Sequence, residues 1–239
     1  MNHVKIMDIP FINETKEEFL INYVQKAVDK HQKKFIITAN PEIVMKTKDD
    51  KAYKKIVQSA DYVVPDGIGI ILAAKRQKTP IKERIPGVEL MEDMLIYANK
   101  HKKTCYFLGA DQKVNKTLIN KITIKYPNLI IGGSHHGFFE LDDLAIVEDV
   151  KQSEADFVFV ALGFPRQENW IDKHFNAFNK GIFMGVGGSF DVLSGTVERA
   201  PKLWIKLNLE WLYRIVKQPS RLGRIFVVIK FMFLTLFKR

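Results

Sequence analysis

The sequence has a single cysteine, Cys105, and it lacks the spacing of a metal site. A lone cysteine cannot form an intramolecular disulfide, and its position in the apolar run Thr104-Cys105-Tyr106-Phe107-Leu108 predicts core packing in a reducing compartment. The six histidines are scattered, and no Asp-x-Asp pair is present to hold a divalent cation beside a diphosphate. We therefore expect chemistry that uses no metal ion and no other cofactor.

Long apolar runs are also missing. Residues 1–5 are followed by no extended apolar segment, so no signal peptide is predicted, and no uncharged run approaches the roughly 20 residues of a spanning helix. The run Ile225 to Phe237 is interrupted by Lys230 and, at about 1.5 Å per residue, reaches only about 20 Å. Membrane contact is therefore expected to be peripheral, from the cytoplasmic side.

The glycine signatures of two large nucleotide-binding classes are absent. Neither G-x-G-x-x-G nor G-x-x-x-x-G-K-[ST] occurs in the chain. The sequence therefore gives little support to the interpretation of the chain as a nicotinamide-dependent oxidoreductase or a P-loop enzyme.

The positive charge is concentrated at one end of the chain. Residues 196–239 contain ten Lys or Arg and two Asp or Glu, whereas residues 1–195 contain 27 and 25. Such a basic segment can meet nucleic acid, anionic lipid or a phosphorylated substrate. Aromatic and aliphatic residues lie between its charges, which favours a lipid surface over nucleic acid.

Predicted strands and helices alternate along residues 15–186. This order predicts an α/β fold with a mostly parallel, Rossmann-like sheet covered by helices on both faces. The pattern divides the chain into an α/β core, residues 1–195, and a basic helical appendage, residues 196–239. Within the appendage we expect one amphipathic helix over 196–217 and a second after Pro219-Ser220.

Asp66 is the main candidate for catalysis. It follows the short apolar run Tyr62 to Val64 and Pro65, and Gly67 begins a new apolar period. The carboxyl end of a strand is where open α/β sheets bind ligands, and a carboxylate presented there can act as a general base. An N-cap role for the following helix is an equally good interpretation.

Polar and glycine residues follow the other predicted strands. Thr38 and Asn40 lie at the end of a strand over 35–39, and glycine turns follow later strands at Gly109, Gly163 and Gly187-Gly188. Such turns let a backbone approach a nucleotide phosphate, although each is also consistent with an ordinary turn.

Arg221 and Arg224 occupy the predicted first turn of the last helix. Cations there oppose the helix dipole, at a typical cost of 0.3–1 kcal/mol each, which indicates an anionic ligand. A substrate diphosphate and lipid headgroup phosphates would satisfy the same geometry. Arg214 is a candidate for the same site, or an ordinary i,i+4 partner of Glu210.

These motifs together resemble the WecG/TagA/CpsF glycosyltransferases over nearly the whole chain. The matching segments are Thr38-Ala39-Asn40-Pro41-Glu42, Asp61-x4-Pro65-Asp66-Gly67, Arg84-Ile85-Pro86-Gly87, Phe107-Leu108-Gly109, Gly163-x-Pro165-x-Gln167-Glu168-x-Trp170, Gly187-Gly188-Ser189-Phe190-Asp191-x3-Gly195 and Arg199-Ala200-Pro201-x11-Leu212-Tyr213-Arg214. One departure is Asp111-Gln112-Lys113, which stands where relatives have a Gly/Pro-rich turn.

The resemblance implies an inverting, metal-independent transferase in wall teichoic acid linkage-unit synthesis. It would move N-acetylmannosamine from UDP-N-acetylmannosamine onto undecaprenyl-diphospho-N-acetylglucosamine and form a β1,4 link. Relatives use other UDP-sugars such as UDP-N-acetylmannosaminuronic acid. The resemblance also implies that the C-terminal appendage completes the site at the membrane.

The resemblance assigns roles to individual residues. Asp66 would take the proton of the acceptor 4-hydroxyl, Thr38 and Asn40 would orient sugars, and Arg84 and Gln167 would bind substrate.

The resemblance also assigns three arginines to phosphate binding. Arg214, Arg221 and Arg224 would hold the leaving UDP or the lipid diphosphate.

A different class of function is also consistent with the sequence. The chain could be a non-catalytic peripheral membrane module whose basic tail binds anionic lipid. Saturable UDP binding without added metal would favour the transferase over the membrane module. The sequence does not determine the oligomeric state, and a homo-oligomer is compatible with it.

Overall fold

The computed structural model describes residues 2–207, 210–217 and 222–237. Eight strands within them form one sheet in the order β1-β2-β4-β3-β8-β7-β5-β6. The strands are β1 His3–Ile6, β2 Ile9–Ile12, β3 Lys33–Ala39, β4 Tyr62–Pro65, β5 Thr104–Gly109, β6 Ile130–His135, β7 Phe157–Ala161 and β8 Gly181–Gly185. Every neighbouring pair is parallel except β1 with β2. This confirms the predicted α/β, Rossmann-like class.

Helices connect the strands and cover both faces of the sheet. They are α1 Lys16–Phe19, α2 Lys26–Asp29, α3 Pro41–Asp49, α4 Lys51–Ser59, α5 Ile68–Arg76, α6 Gly87–Lys100, α7 Gln112–Lys125, α8 Leu144–Gln152, α9 Arg166–His174, α10 Ser189–Ser194, α11 Lys202–Lys206, α12 Glu210–Lys217 and α13 Leu222–Phe237. A π-helical segment, Leu20–Gln25, joins α1 to α2, and a 3-10 turn, Phe175–Ala177, follows α9.

The inner strands β4, β5, β7 and β8 are buried on both faces, which is why they read as short continuous apolar runs. In β7, Val158 and Val160 join the core under α3, α4, α5, α8, α9 and α13, while Phe157 and Phe159 join the core under α1, α2, α6, α7 and α10. This alternation follows from the pleat, which points successive side chains to opposite faces.

The C-terminal segment differs from the expected pair of long helices. Residues 196–201 are not helical, so the predicted helix over 196–217 is wrong at its start: α11 begins after Pro201 and ends at Lys206, and α12 begins at Glu210. Pro201 fits the first position before a helix, where its missing N–H costs nothing. No helix in the described ranges is both long and apolar enough to cross a membrane.

The last helix lies against the α/β body. α13 packs on α3 and α5, and Phe231 on its inner side is fully buried in the same core as Ile43 and Ile70. α3 and α5 are the helices that begin directly after Asn40 and Gly67. The C-terminal helix therefore packs against the two helices that begin at the candidate site.

Candidate active site at the carboxyl edge of the sheet

The predicted site residues lie along one edge of the sheet. β4, β3, β8, β7 and β5 run parallel, so Asp66, Asn40, Gly187, Gly163 and Gly109 all follow carboxyl ends on the same side. β5 and β7 are neighbours in the sheet. The chain passes from β5 to β6 on one side of this pair, and from β7 to β8 on the other side. Where neighbouring connections diverge in this way, open α/β sheets form a ligand-binding crevice.

Asp66 does not cap α5, the helix that follows it. The N-cap of α5 is Gly67, at a φ of +91°, and no side chain caps that helix. The Asp66 N–H donates to Ala39 O at 3.0 Å, and its Oδ2 accepts a long hydrogen bond from Gly87 N at 3.4 Å. The capping interpretation is therefore wrong, and the half-buried carboxylate lies between the end of β3 and the start of α6.

Asn40 has a structural role that the sequence analysis did not assign. Its Oδ1 accepts from Glu42 N at 2.9 Å and from Ile43 N at 3.1 Å, so it caps α3 with Pro41 at the first helical position. The oxygen of Asn40 is engaged by these bonds. Its Nδ2 group is the part suited to a ligand.

Thr38 and the Arg84 segment approach each other closely. A Cβ on Gly87 would lie 2.9 Å from Thr38 Oγ1, so only glycine fits there. Ile85 N donates to Pro65 O at 2.8 Å, which ties the segment carrying Arg84 to the end of β4. Arg84 is half-buried.

The glycine turns differ in what they require. Gly109 has a φ of +126°, and a Cβ there would lie 2.4 Å from Ala161 O, so the ends of β5 and β7 touch through backbone. Gly163 and Gly187 also have positive φ, but a Cβ on either would meet nothing within 4 Å. Their positive φ favours glycine, and they border open space.

Gln167 is buried beneath the Gly187 turn. Its Oε1 accepts from Gly187 N at 3.0 Å, and its Nε2 donates to Glu168 Oε1 at 2.7 Å. Gln167 and Glu168 are 5% and 1% exposed. The amide that was predicted to bind substrate thus contacts the turn rather than open space.

Tyr53 was not singled out in the sequence analysis. Its hydroxyl lies on α4 near the Glu168 carboxyl, and burial and this carboxyl raise its pKa above the usual range. In the part of the chain that the structure describes, three buried polar atoms have no hydrogen-bond partner: Tyr53 Oη, Glu168 Oε2 and Trp170 Nε1. Tyr53 meets Glu168 only because α4 packs on α9, so no pattern in the local sequence could have identified this contact.

Asn115 is a second residue that the sequence analysis missed. Its Nδ2 donates to Phe107 O, Gly109 O and His135 O at 3.3, 3.0 and 3.1 Å. The amide joins the carboxyl ends of β5 and β6 and shapes the turn at Gly109. The available signal was an asparagine on the apolar side of α7, between Val114 and Leu118.

Arg199 links the start of the C-terminal segment to α6. Its Nη2 lies 2.5 Å from Glu89 Oε1, and its Nε lies 4.0 Å from Glu210 Oε1. Burial would raise the pKa of Glu89, but Arg199 and Lys16 outweigh it and the pKa is lowered. Because α6 begins at Gly87, these ion pairs place the C-terminal segment beside the Asp66 region.

Three of the predicted phosphate ligands are not placed by the structure. Arg221 and the side chains of Arg214 and Arg224 lie outside the described residues. The described residues also bring together no group of three or more potential metal ligands.

Comparison with known proteins identifies relatives along the whole chain. The model of the family described as glycosyl transferase WecG/TagA/CpsF matches residues 4–239. Proteins of Staphylococcus aureus strains MW2, NCTC 8325 and COL are each 37% identical over 231 residues, which is 96% of this chain and 91% of theirs. Each is named N-acetylglucosaminyldiphosphoundecaprenol N-acetyl-beta-D-mannosaminyltransferase.

Proposed function

Because the chain belongs to the glycosyl transferase WecG/TagA/CpsF family, we propose that it transfers N-acetylmannosamine from UDP-N-acetylmannosamine to undecaprenyl-diphospho-N-acetylglucosamine. The product carries a β1,4 link, made with inversion, in the linkage unit of wall teichoic acid. The observation that carries this proposal is the 37% identity, across 96% of the chain, to relatives named for that transfer.

In the proposed reaction Asp66 is the general base. The acceptor 4-hydroxyl oxygen attacks the anomeric carbon of the donor, and the bond from that carbon to the UDP oxygen breaks on the opposite face. Asp66 receives the hydroxyl proton, and UDP leaves with the bonding electrons. A half-buried carboxylate at a strand end that does not cap the following helix α5 supports this role.

Neighbouring side chains would bind and orient the sugars. Thr38 and the Nδ2 group of Asn40 lie at the end of β3, beside β4 and Asp66, and Arg84 lies one residue before the Ile85 bond to β4. Gln167 would act through the Gly187 turn rather than by direct contact.

The phosphates would be held by backbone and arginine. Gly163, Gly187 and Gly188 border the crevice between the strand ends, where a diphosphate can approach the backbone, and Gly109 shapes it through its backbone contact with Ala161. Arg214, Arg221 and Arg224 would neutralise the leaving UDP or the lipid diphosphate, in place of a metal ion.

Residues 196–239 would contact the membrane on the cytoplasmic face while α13 packs on the body. On α13, Phe226, Ile229 and Phe233 are 74%, 58% and 62% exposed, and their spacing places them on one face of the helix. Phe231 is buried against the body. An apolar face beside basic residues fits the headgroup region of an anionic bilayer, where the lipid acceptor resides.

Replacing this face should release the protein from membranes. The triple change Phe226→Ser, Ile229→Ser and Phe233→Ser should weaken binding to anionic vesicles on the order of a hundredfold or more, since each side chain loses apolar burial. Sedimentation with vesicles of phosphatidylglycerol and phosphatidylethanolamine measures this, and turnover of a short-chain soluble acceptor should persist.

A matched control uses three exposed apolar residues of the body. Ile96, Ile124 and Ile130 are 54%, 81% and 50% exposed, and their change to serine should leave vesicle binding intact. Equal losses in the two triple variants would argue against a specific membrane face.

A panel of UDP-N-acetylhexosamines with a lipid-diphosphate acceptor analogue tests the proposed reaction. After exhaustive chelation with EDTA, UDP-N-acetylmannosamine should still be consumed, with release of UDP and formation of a disaccharide lipid in β configuration. Turnover is expected to be unchanged by added magnesium.

Other outcomes would redirect the assignment. Preference for UDP-N-acetylmannosaminuronic acid would indicate another donor within the family, and restoration of activity by magnesium would refute the role of the arginines as a metal substitute. Vesicle binding without any affinity for UDP would support a non-catalytic membrane module instead.

A further inference from the structure

Glu168 is a buried acid that the proposed reaction does not use. It lies in the first turn of α9, 1% exposed, directly after the turn that contains Gly163. A Cβ on Gly185 would lie 3.1 Å from Glu168 Oε1 and 2.6 Å from Gln167 Nε2, so β8 leaves room for both side chains only because it has glycine there. A buried carboxyl is costly unless it is paired, and such groups are concentrated at functional sites.

The carboxyl is connected to the active-site edge through one amide. Glu168 Oε1 accepts from Gln167 Nε2 at 2.7 Å, and Gln167 Oε1 accepts from Gly187 N at 3.0 Å. Gly187 has a φ of +48° and is followed by the exposed Gly188 and by Ser189, whose N–H and hydroxyl both bond to Val186 O. The Gln167 amide thus supports a turn that borders the crevice.

We propose that Glu168 is a positioning residue: its carboxylate orients the Gln167 amide so that Oε1 holds Gly187 N–H, which shapes the glycine turn for the donor diphosphate. This inference rests on the proposed transfer from a nucleoside diphosphate sugar. It adds a residue that acts through Gln167 and does not touch the substrate.

The physical reason is the acceptor-only character of a carboxylate. An ionised Glu168 can only accept, so Gln167 must present its NH₂ to Glu168 and its oxygen to Gly187. A protonated carboxyl can also donate, which permits the flipped amide. In the flipped amide the Gln167 NH₂ faces the Gly187 N–H, and two donors oppose each other. The Gly187 N–H already favours the unflipped amide, and ionisation of Glu168 strengthens this preference because a charged acceptor holds the Gln167 NH₂ more tightly.

The Glu168 carboxyl is expected to gain or lose its proton near neutral pH. Burial raises the pKa of Glu168 to about 7 from the ordinary 4.5, opposed by Gln167, by its own backbone N–H and by Tyr53. Tyr53 is the titratable group that faces it from α4, and β7 and β8 contain no ionisable side chain. The amide should be held more tightly above about pH 7 than below it.

Glu168→Gln separates this role from a merely structural one. We expect the ratio of kcat/KM for the donor, wild type over variant, to rise from about one at pH 5.5 to about fivefold at pH 8.5, the value of one hydrogen bond. The midpoint should lie near pH 7, and the loss should appear in donor KM rather than in kcat. Titration of Asp66 and of UDP cancels in the ratio.

At high pH, where Glu168→Gln is expected to lower activity, the same change should raise thermal stability. Between pH 4.5 and 7 the folded protein holds a proton that the unfolded chain has released, so the stability of the wild type falls as pH rises through this range. The neutral glutamine removes that loss, and the Tm of Glu168→Gln should exceed that of the wild type at pH 8. A structural role alone predicts lower activity and lower Tm together.

Tyr53→Phe provides a second variant if Glu168→Gln does not fold. The Tyr53 hydroxyl lies near the Glu168 carboxyl without a well-formed hydrogen bond to it, and its proximity lowers the pKa of Glu168. Its loss should therefore move the activity midpoint above that of the wild type. A ratio that does not change with pH, or a Tyr53→Phe midpoint that stays or falls, would overturn the proposal. If the wild type turned over no sugar nucleotide, the proposed transfer would fail instead, and the ratio of Kd values for UDP would decide the role of Glu168.

Discussion

Asp66→Asn is expected to lower kcat by about 10²–10⁴-fold, the usual contribution of a general base. The amide keeps the shape of the carboxylate and can still accept from Gly87 N, but it cannot take a proton. Because Asp66 does not cap α5, the change should leave that helix and the fold intact. Steady-state turnover with a soluble acceptor measures the loss, and UDP affinity should stay within about twofold.

Asp111→Asn is the matched control. Asp111 lies on the same edge of the sheet and caps α7 through a bond from Lys113 N, a role that asparagine performs equally well. This variant should keep normal activity. Near-normal kcat in a folded Asp66→Asn protein would eliminate Asp66 as the base.

The triple change Arg214→Ala, Arg221→Ala and Arg224→Ala is expected to abolish turnover of a soluble, short-chain acceptor. Charge-assisted hydrogen bonds to a phosphate contribute about 1.5–3 kcal/mol each, so the loss of even two such bonds should lower kcat/KM by more than about a hundredfold. A soluble acceptor removes membrane affinity from the measurement.

Point variants test this better than truncation does. Deletion of residues 196–239 would also remove Phe231 from the core over α3 and α5, next to the candidate site. Lys206→Ala, Lys217→Ala and Lys230→Ala form the control, since these exposed lysines remove the same charge from the same segment. Equal kinetics in the two triple variants would leave the arginines as membrane contacts only.

The fold class could be predicted because its signals are local. Each buried strand is a short apolar run that ends at glycine, proline or a polar residue, and each helix has its own period. The hairpin β1–β2 was missed, because four-residue strands such as His3–Ile6 carry too little pattern to be recognised alone. The helix over 196–217 was predicted too long, because Pro201 is the N-cap of α11 and disfavours helical geometry in the residue before it.

The candidate site was only partly predictable. Parallel strands bring their carboxyl ends to one edge, so placing Asp66 and Asn40 at strand ends was enough to place them near each other. Tyr53 and Asn115 were not foreseen, because their partners come from elements distant in sequence. The use of Asn40 as a helix cap follows from a local Asn-Pro signal that was read only as a strand end.

By itself the sequence determined the α/β class, the sheet edge at which the candidate residues gather and the concentration of charge in residues 196–239. These depend on periodicity, turn chemistry and composition, which act over a few residues. Only the tertiary structure decided that Asp66 does not cap α5, that α13 packs beside the candidate site, and that Glu168 is buried against Gln167. Burial and hydrogen-bond partners depend on contacts between distant segments, and the pKa of a buried acid has no value until those contacts exclude water from it.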